Sequence, residues 1–462
     1  MRRPLAAVTL VAALAAAGAW VWTTAARDRE WHRLIAAGEA ALTAGQMLPA
    51  IEAFSGAIAL RGDSTLGYLK RGETYRRHGD LTAAVRDLRR AAQLDPTATR
   101  ALEQLGDAYY AQQWYAHAAD RYAAYVRIDD RSPRVLYKLG LSRYREGTPA
   151  SAIAPLRQAV HLNDQFAEAY YVLGLSLRAD RQTSDAVWAL QRAVQAAPAL
   201  VAPREALASI FEALNRHGER IEQLEALVAL EPEHTGRRIA LASAYLERGR
   251  ADLAVLTLGR AAERHPEQGA IYGALAGVWL EVAESRGDQA AVAKAREAVR
   301  AAMARPDRDE GATRVLEGRV LLAAGQPEGA LRALREATSR LPVDPVAFER
   351  LATAAERVGE LREAREALVR YAALTSGDRL QAHIASRIAG LSRRLREPAR
   401  AADWLARAVR LSPRSEDLVV RLADAQAAAG ARDEARRTVA RALSDGFDSP
   451  ALRQLEARLR FE

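Results

Sequence analysis

The sequence predicts an all-α fold made of many short helices in repeated pairs, and three observations carry that expectation. A small residue returns every 34 positions, at Gly38, Gly72, Gly106, Gly140, Gly174, Ala208, Ala242 and Ala276. Twelve residues on stands a second small one (Ala50, Ala84, Ala118, Ala152, Ala186, Ala254, with Arg220 interrupting the series). Four further on stands a large one (Phe54, Leu88, Tyr122, Leu156, Leu190, Leu224, Leu258). Aromatic residues make up only 6% of the chain while alanine, leucine and arginine dominate, a balance that suits amphipathic helices rather than sheet. A single core rarely grows beyond about 250 residues. A chain of 462 residues therefore divides into domains or stacks repeats, and the fixed period selects the stack.

From the N-terminus, Arg2 and Arg3 precede an uncharged run from Leu5 to Ala26. As a helix this run is about 33 Å long, against a hydrocarbon core of about 30 Å. Trp20 and Trp22 at its distal end suit a membrane interface, and the leading arginines suit the cytoplasmic side. Residues 1–30 are thus expected to be a signal anchor or transmembrane segment, single-pass in the inner membrane, with the array in the periplasm or otherwise outside the cytoplasm. A cleaved signal peptide and a secreted chain is the other reading, with Ala17-Gly18-Ala19 as the small-residue cleavage site.

Residues 31–268 hold units 1–7, several of which close on proline at Pro96, Pro198, Pro232 and Pro266. Residues 269–449 hold units 8–12 with two slips of register. The pattern resumes at Gly318 (with Ala330, Leu334, Ala337 and Pro342), Ala352 (Ala364, Leu368), Ala389 (Ala401, Leu405, Ala408, Pro413) and Ala423 (Ala435). The extra residues fall near 284–294 and 375–381, where longer helices or a bend are expected. Residues 450–462 read as a capping helix that covers the exposed end of the stack.

This arrangement resembles the tetratricopeptide repeat, whose signature runs W-x2-L-G-x2-Y, then A-x3-F-x2-A, then P. The resemblance covers roughly residues 31 to 460 and implies a right-handed α-α superhelical solenoid of about twelve helix pairs. Two helices per unit cross with glycine or alanine at the contact, where a larger side chain would hold the backbones apart, and proline ends the second helix.

No motif for chemistry accompanies the repeats. The chain lacks cysteine altogether, which removes disulfides, thiolate metal sites and cysteine nucleophiles. Phosphate-loop, nucleophile-elbow, zinc-protease and calcium-loop patterns are missing, and the eight histidines are dispersed among units. No catalytic residue, metal or cofactor is expected. The formal charge of +9 spreads over 67 bases interspersed with 58 acids, so it reads as solvated helix faces and no nucleic-acid partner is expected.

The resemblance also implies that the first helix of each unit lines a concave groove, with residues spaced i, i+3, i+7, i+10 along it. Three consecutive units then present Arg100, Glu103, Asp107 and Tyr110; Arg134, Tyr137, Leu141 and Tyr144; and Glu168, Tyr171, Leu175 and Arg178, with Arg145 beside them. Tyrosine and arginine are the types that concentrate binding energy at interfaces. Tyr75, Tyr109 and Tyr115 fall at consensus core positions and stand outside this set. Chaperone-binding members of the family hold a terminal carboxylate with paired asparagines and lysines, whereas Glu39, Glu73 and Asp107 occupy the corresponding positions here. An extended or helical partner segment bearing acidic groups suits Arg134, Arg145 and Arg178 better.

The resulting expectation is a non-enzymatic protein–protein interaction scaffold. It would organise a bacterial cell-envelope complex of the kind in polysaccharide export, pilus assembly or cytochrome maturation. Two alternatives are a secreted repeat protein binding carbohydrate or a cell-wall component, and a membrane-tethered regulator facing the cytoplasm. The oligomeric state is left open.

Overall fold

The computed structural model describes residues 3–340 and 344–461, the side chains of residues 3–13 and 461 excepted. All of its regular structure is helical among these residues. The chain falls into two compact units, Met1–Leu230 and Glu231–Glu462.

The first unit is a stack of six antiparallel pairs: α1 (Arg3–Thr43) with α2 (Met47–Leu60), α3 (Thr65–His78) with α4 (Leu81–Leu94), α5 (Thr99–Ala111) with α6 (Tyr115–Val126), α7 (Pro133–Glu146) with α8 (Pro149–Leu162), α9 (Ala167–Ala179) with α10 (Thr183–Ala196), and α11 (Val201–Ala213) with α12 (His217–Leu230). Apart from α1, each helix is 12–14 residues long, too short to hold itself in water, so pairing and stacking supply the stability.

The small and large series meet as the sequence requires. Were a Cβ added to Gly38, Gly72, Gly106 or Gly174, it would stand 2.5, 2.7, 2.6 and 2.6 Å from Phe54, Leu88, Tyr122 and Leu190 respectively, each sixteen residues on and fully buried. Ala50, Ala84, Ala118, Ala152 and Ala186 are fully buried beside them. At the one break, Arg220 is buried and its guanidinium pairs with Glu212 at 2.9 Å. Pro96 and Pro198 stand two residues past α4 and α10, in the turns where their missing N–H costs no helical bond. Pro155 is a departure, lying inside α8. The carbonyl it deprives of a partner is that of Ser151, which accepts instead from Arg143 Nη1 at 2.8 Å.

At the N-terminus the first repeat helix and the preceding segment run on as one helix of 41 residues, α1. Its C-terminal part buries Trp31 and Ile35 against Ala50, Phe54 and Ala57, while Trp20 and Trp22 are exposed. Among the described residues no helix is long and apolar enough to cross a membrane. Arg2 and the side chains of residues 3–13, on which half of the anchor expectation rests, lie outside them.

The second unit repeats the plan with α13 (Thr235–Glu247) and α14 (Ala251–Arg264), α15 (Gly269–Arg286) and α16 (Gln289–Met303), α17 (Glu310–Ala323) and α18 (Pro327–Thr338), α19 (Pro345–Val358) and α20 (Leu361–Leu374), α21 (Asp378–Arg394) and α22 (Pro398–Leu411), and α23 (Glu416–Ala428) and α24 (Arg432–Ser444). The residues in excess of the period lengthen helices: α15 has 18 residues, α16 has 15 and α21 has 17. Between α15 and α16, Gly287 takes a left-handed φ of 66° and Asp288 caps the next helix through the N–H groups of Ala290 and Ala291. Pro342, expected to close a repeat, lies outside the described residues. The last helix, α25 (Pro450–Phe461), buries Leu452, Leu455 and Leu459 against Val419, Ala423 and Val439, closing the end of the stack.

Glycine inside a helix is only warranted where a neighbour crowds it. Gly277 in α15 has nothing within 4 Å of an added Cβ and no left-handed φ. Gly277→Ala is expected to stabilise the second unit by about 0.5–1 kcal/mol through the lower entropy of the unfolded chain. A thermal melt showing a lower midpoint would contradict the open environment of that position.

Candidate partner-binding surface

The first helices α5, α7 and α9 each carry one row of the predicted groove residues, and the structure separates those residues into two groups. The first is an internal clamp. Arg100 grips Glu73 of α3 with two parallel bonds of 2.6 and 2.9 Å. Glu103 is buried and accepts from Arg134 at 2.8 Å and from Lys138 at 2.7 Å, and Lys138 also reaches Asp107 at 2.6 Å. Asp107 accepts in addition from the hydroxyl of buried Tyr122 at 2.6 Å. Burial, then the Asp107 charge, push the Tyr122 phenol far above the ordinary tyrosine range.

These contacts correct the reading of Glu103 and Asp107 as groove surface. They are interhelical ligands of a lysine, and the guanidiniums of Arg100 and Arg134 are already engaged by the first helix of the preceding unit. Lys138 was missed because it lies off the i, i+3, i+7, i+10 stripe. A signal did exist in the sequence: the pairs Glu39–Lys70, Glu103–Arg134 and Asp107–Lys138 are each 31 residues apart. One repeat forward and one helical turn back places a base beside the acid on the adjoining first helix. Glu356 and Arg387 keep the same spacing in the second unit, where Arg387 also binds Glu349, so that one base again spans two acids.

The second group is an aromatic and cationic patch on α5, α7 and α9. Tyr137, Tyr144 and Tyr171 are half-buried, each packed on the core that Leu173, Leu177 and Phe211 help form. Tyr137 meets Phe166 with ring centroids 5.0 Å apart, and Tyr110 meets Tyr115 edge-on at 5.2 Å. Burial raises the phenols of Tyr137 and Tyr171 above the ordinary range, while Arg145 beside both, and Arg178 beside Tyr171, pull them back. Glu168 is exposed and acts electrostatically on Tyr137, and Leu141 and Leu175 fill in behind the rings. Arg145 and Arg178 are exposed, and their guanidiniums make no ion pair or hydrogen bond among the described residues. Phe166, in the turn before α9, was not foreseen because it lies outside the helical stripe.

Of the tyrosines assigned to core positions, Tyr109 is buried, while Tyr75 and Tyr115 are half-buried. The arrangement offers flat apolar rings held rigid by the core, with two uncommitted cations at the rim. Tyrosine and arginine are the residue types that concentrate binding energy at interfaces. Among the described residues no cluster of histidine, aspartate and glutamate could hold a metal ion.

Family models of the tetratricopeptide repeat match residues 137–201, 315–379 and 394–459, and a further one described as the TPR repeat matches residues 72–113. No curated protein matches the chain by sequence. Among solved structures, the chain is similar to MamA protein, at 23% identity over 37% of this chain and 92% of that one, with a TM-score of 0.35. It is similar to YrrB, described as a TPR protein with an unusual peptide-binding site, at 21% identity over 41% and 97%, TM-score 0.37. It is also similar to yeast Tom70, at 13% identity over 80% and 97%, TM-score 0.41. Together the four matched stretches cover about half of the chain, and the chain belongs to the tetratricopeptide repeat family.

Proposed function

We propose that this protein is a non-enzymatic scaffold that organises a cell-envelope complex by holding a segment of a partner protein on the α5–α7–α9 patch. The family is one of protein-interaction scaffolds, whose stacked helices form extended binding surfaces. The observation that carries the reading is the pair Arg145 and Arg178. These exposed cations lack partners beside rings already fixed by packing, so a partner's carboxylate can take them without breaking an internal pair. The ordered array also lets several weak contacts act together.

Placement at the envelope follows from the N-terminal sequence, in which Arg2 and Arg3 precede the uncharged run to Ala26. In this reading the segment tethers the chain and the array lies outside the cytoplasm.

The test is affinity capture of the full chain from its native membranes, compared with an Arg145→Glu/Arg178→Glu variant. Both side chains are exposed and unpaired, so the variant keeps its helicity and thermal midpoint while capture falls by about tenfold or more. An unchanged set of captured proteins overturns the patch. Recovery of the chain in the soluble periplasmic fraction, with a mature N-terminus near Trp20, supports the secreted reading instead. Tyr137→Ala/Tyr144→Ala is a poorer probe, because both rings are half-buried. That variant is expected to lose capture together with about 2–4 kcal/mol of stability.

A further inference from the structure

The other face of the first unit carries a cleft that the groove reading does not use. It encloses about 620 Å³ between the second helices α4 and α6, above α5. Its floor is Leu102, Leu105 and Tyr109, which the helical step of about 100° places on the side of α5 opposite Arg100, Glu103, Asp107 and Tyr110. Its walls carry Arg89, Arg121 and Arg127, with His117 and the exposed Ile128 at the edge. A neighbouring cavity of about 630 Å³ shares Arg89 and Gln93 and extends the surface to Arg86, Arg90 and Trp114.

The cleft is built rather than incidental. Arg89 donates to the Tyr109 hydroxyl at 2.8 Å. Trp114, half exposed, stacks on Tyr109 with centroids 5.9 Å apart, and His117 tilts against both rings. The single acid lining either cavity, Asp87, is already bonded to Arg71 at 2.6 and 3.0 Å. Of the acids next to it in the chain, Asp95 accepts from Thr97 and Asp129 from Tyr125, and neither of them nor Asp120 lines the cleft. Arg90, Arg121 and Arg127 make no ion pair among the described residues.

We propose that this cleft is a second docking site, taking an acidic segment of a protein that seats a large apolar side chain on Leu102, Leu105 and Tyr109 and offers carboxylates to Arg121, Arg127 and Arg90. Charge complementarity selects an anionic occupant, and the apolar floor selects one that also carries a hydrophobic anchor, which a free anion lacks. A nucleic-acid backbone needs cations along its whole path, and here the positive surface is confined. Upstream, α2 carries no base at all, and downstream the arginine of α8, Arg157, is paired with Asp185 at 3.0 Å. One array thereby holds two partners, or two parts of one, on opposite faces.

The test titrates the full chain with a fluorescein-labelled synthetic peptide that bears glutamates around a leucine and a phenylalanine, followed by anisotropy. Binding is expected to weaken at least tenfold in an Arg90→Glu/Arg127→Glu variant, both of whose altered side chains are exposed, and equally when the peptide's glutamates become glutamines. It is expected to persist in Arg145→Glu/Arg178→Glu, which separates this site from the α5–α7–α9 patch. A thermal midpoint matching the parent confirms that the variant is folded. Equal affinity for parent and Arg90→Glu/Arg127→Glu, or no binding to the parent, overturns the proposal. So does tighter binding of a single-stranded oligonucleotide or of phosphatidylglycerol vesicles that depends on the same arginines, which would give the cleft to that class of ligand.

Discussion

Gly140→Leu is expected to unfold much of the first unit, lowering its stability by about 3 kcal/mol or more. An added Cβ at this position would stand 2.8 and 3.0 Å from the two methyl carbons of Leu156 and nearer still to its branch carbon. Leu156 is itself fully buried in one cluster with Ala152, Leu173 and Leu190, so making room for a leucine displaces packed groups. α7 and α8 would have to separate, and because each helix is held by its neighbours the damage spreads along the stack. Denaturant unfolding of the full chain checks this. A transition at the parental midpoint would mean that the 34-residue register places the helix crossings wrongly. The contrast with Gly277→Ala, expected to stabilise, uses one residue type to separate crowding from intrinsic helix preference.

Lys138→Met is expected to cost about 3 kcal/mol, because it removes the cation shared by the largely buried Glu103 and Asp107. Arg134 would still hold one oxygen of Glu103, but Asp107 would keep only the Tyr122 hydroxyl. Introducing Glu103→Gln into Lys138→Met is expected to recover part of the loss, so that the two changes are not additive. Strict additivity of the two in urea melts would show that the bridge carries no coupling and that Lys138 acts through its aliphatic stem alone. Partner capture through Arg145 and Arg178 should survive in whatever fraction of Lys138→Met remains folded.

Much of the architecture was legible in the chain. Period and residue size sufficed to place twelve helix pairs and a final covering helix, because the geometry of close helix crossing admits only small residues at the contact and writes them at a fixed interval. The two long spacings were visible as well, and the structure spends the extra residues on longer α15, α16 and α21. The candidate surface was less legible. A stripe chosen by spacing on single helices gathered Arg100, Glu103, Asp107 and Arg134 together with Tyr137, Tyr144, Tyr171, Arg145 and Arg178 as if all faced a partner.

What the sequence determined by itself is therefore the repeat: which residues cross, where prolines close units, and where the register slips. These depend on size and backbone constraints that act within one unit. What only the tertiary structure decided is which charges are free. Whether Arg134 or Arg145 can greet a partner depends on what the adjoining helix offers at hydrogen-bond distance. Glu103 lies 2.8 Å from Arg134, while no acid forms an ion pair with Arg145 among the described residues. The same holds for the cleft between α4 and α6, whose floor and arginines come from separate helices and form a surface only after stacking. Steric fit is local and leaves a period in the chain, whereas electrostatic satisfaction is pairwise across helices and is settled by the packing that brings them together.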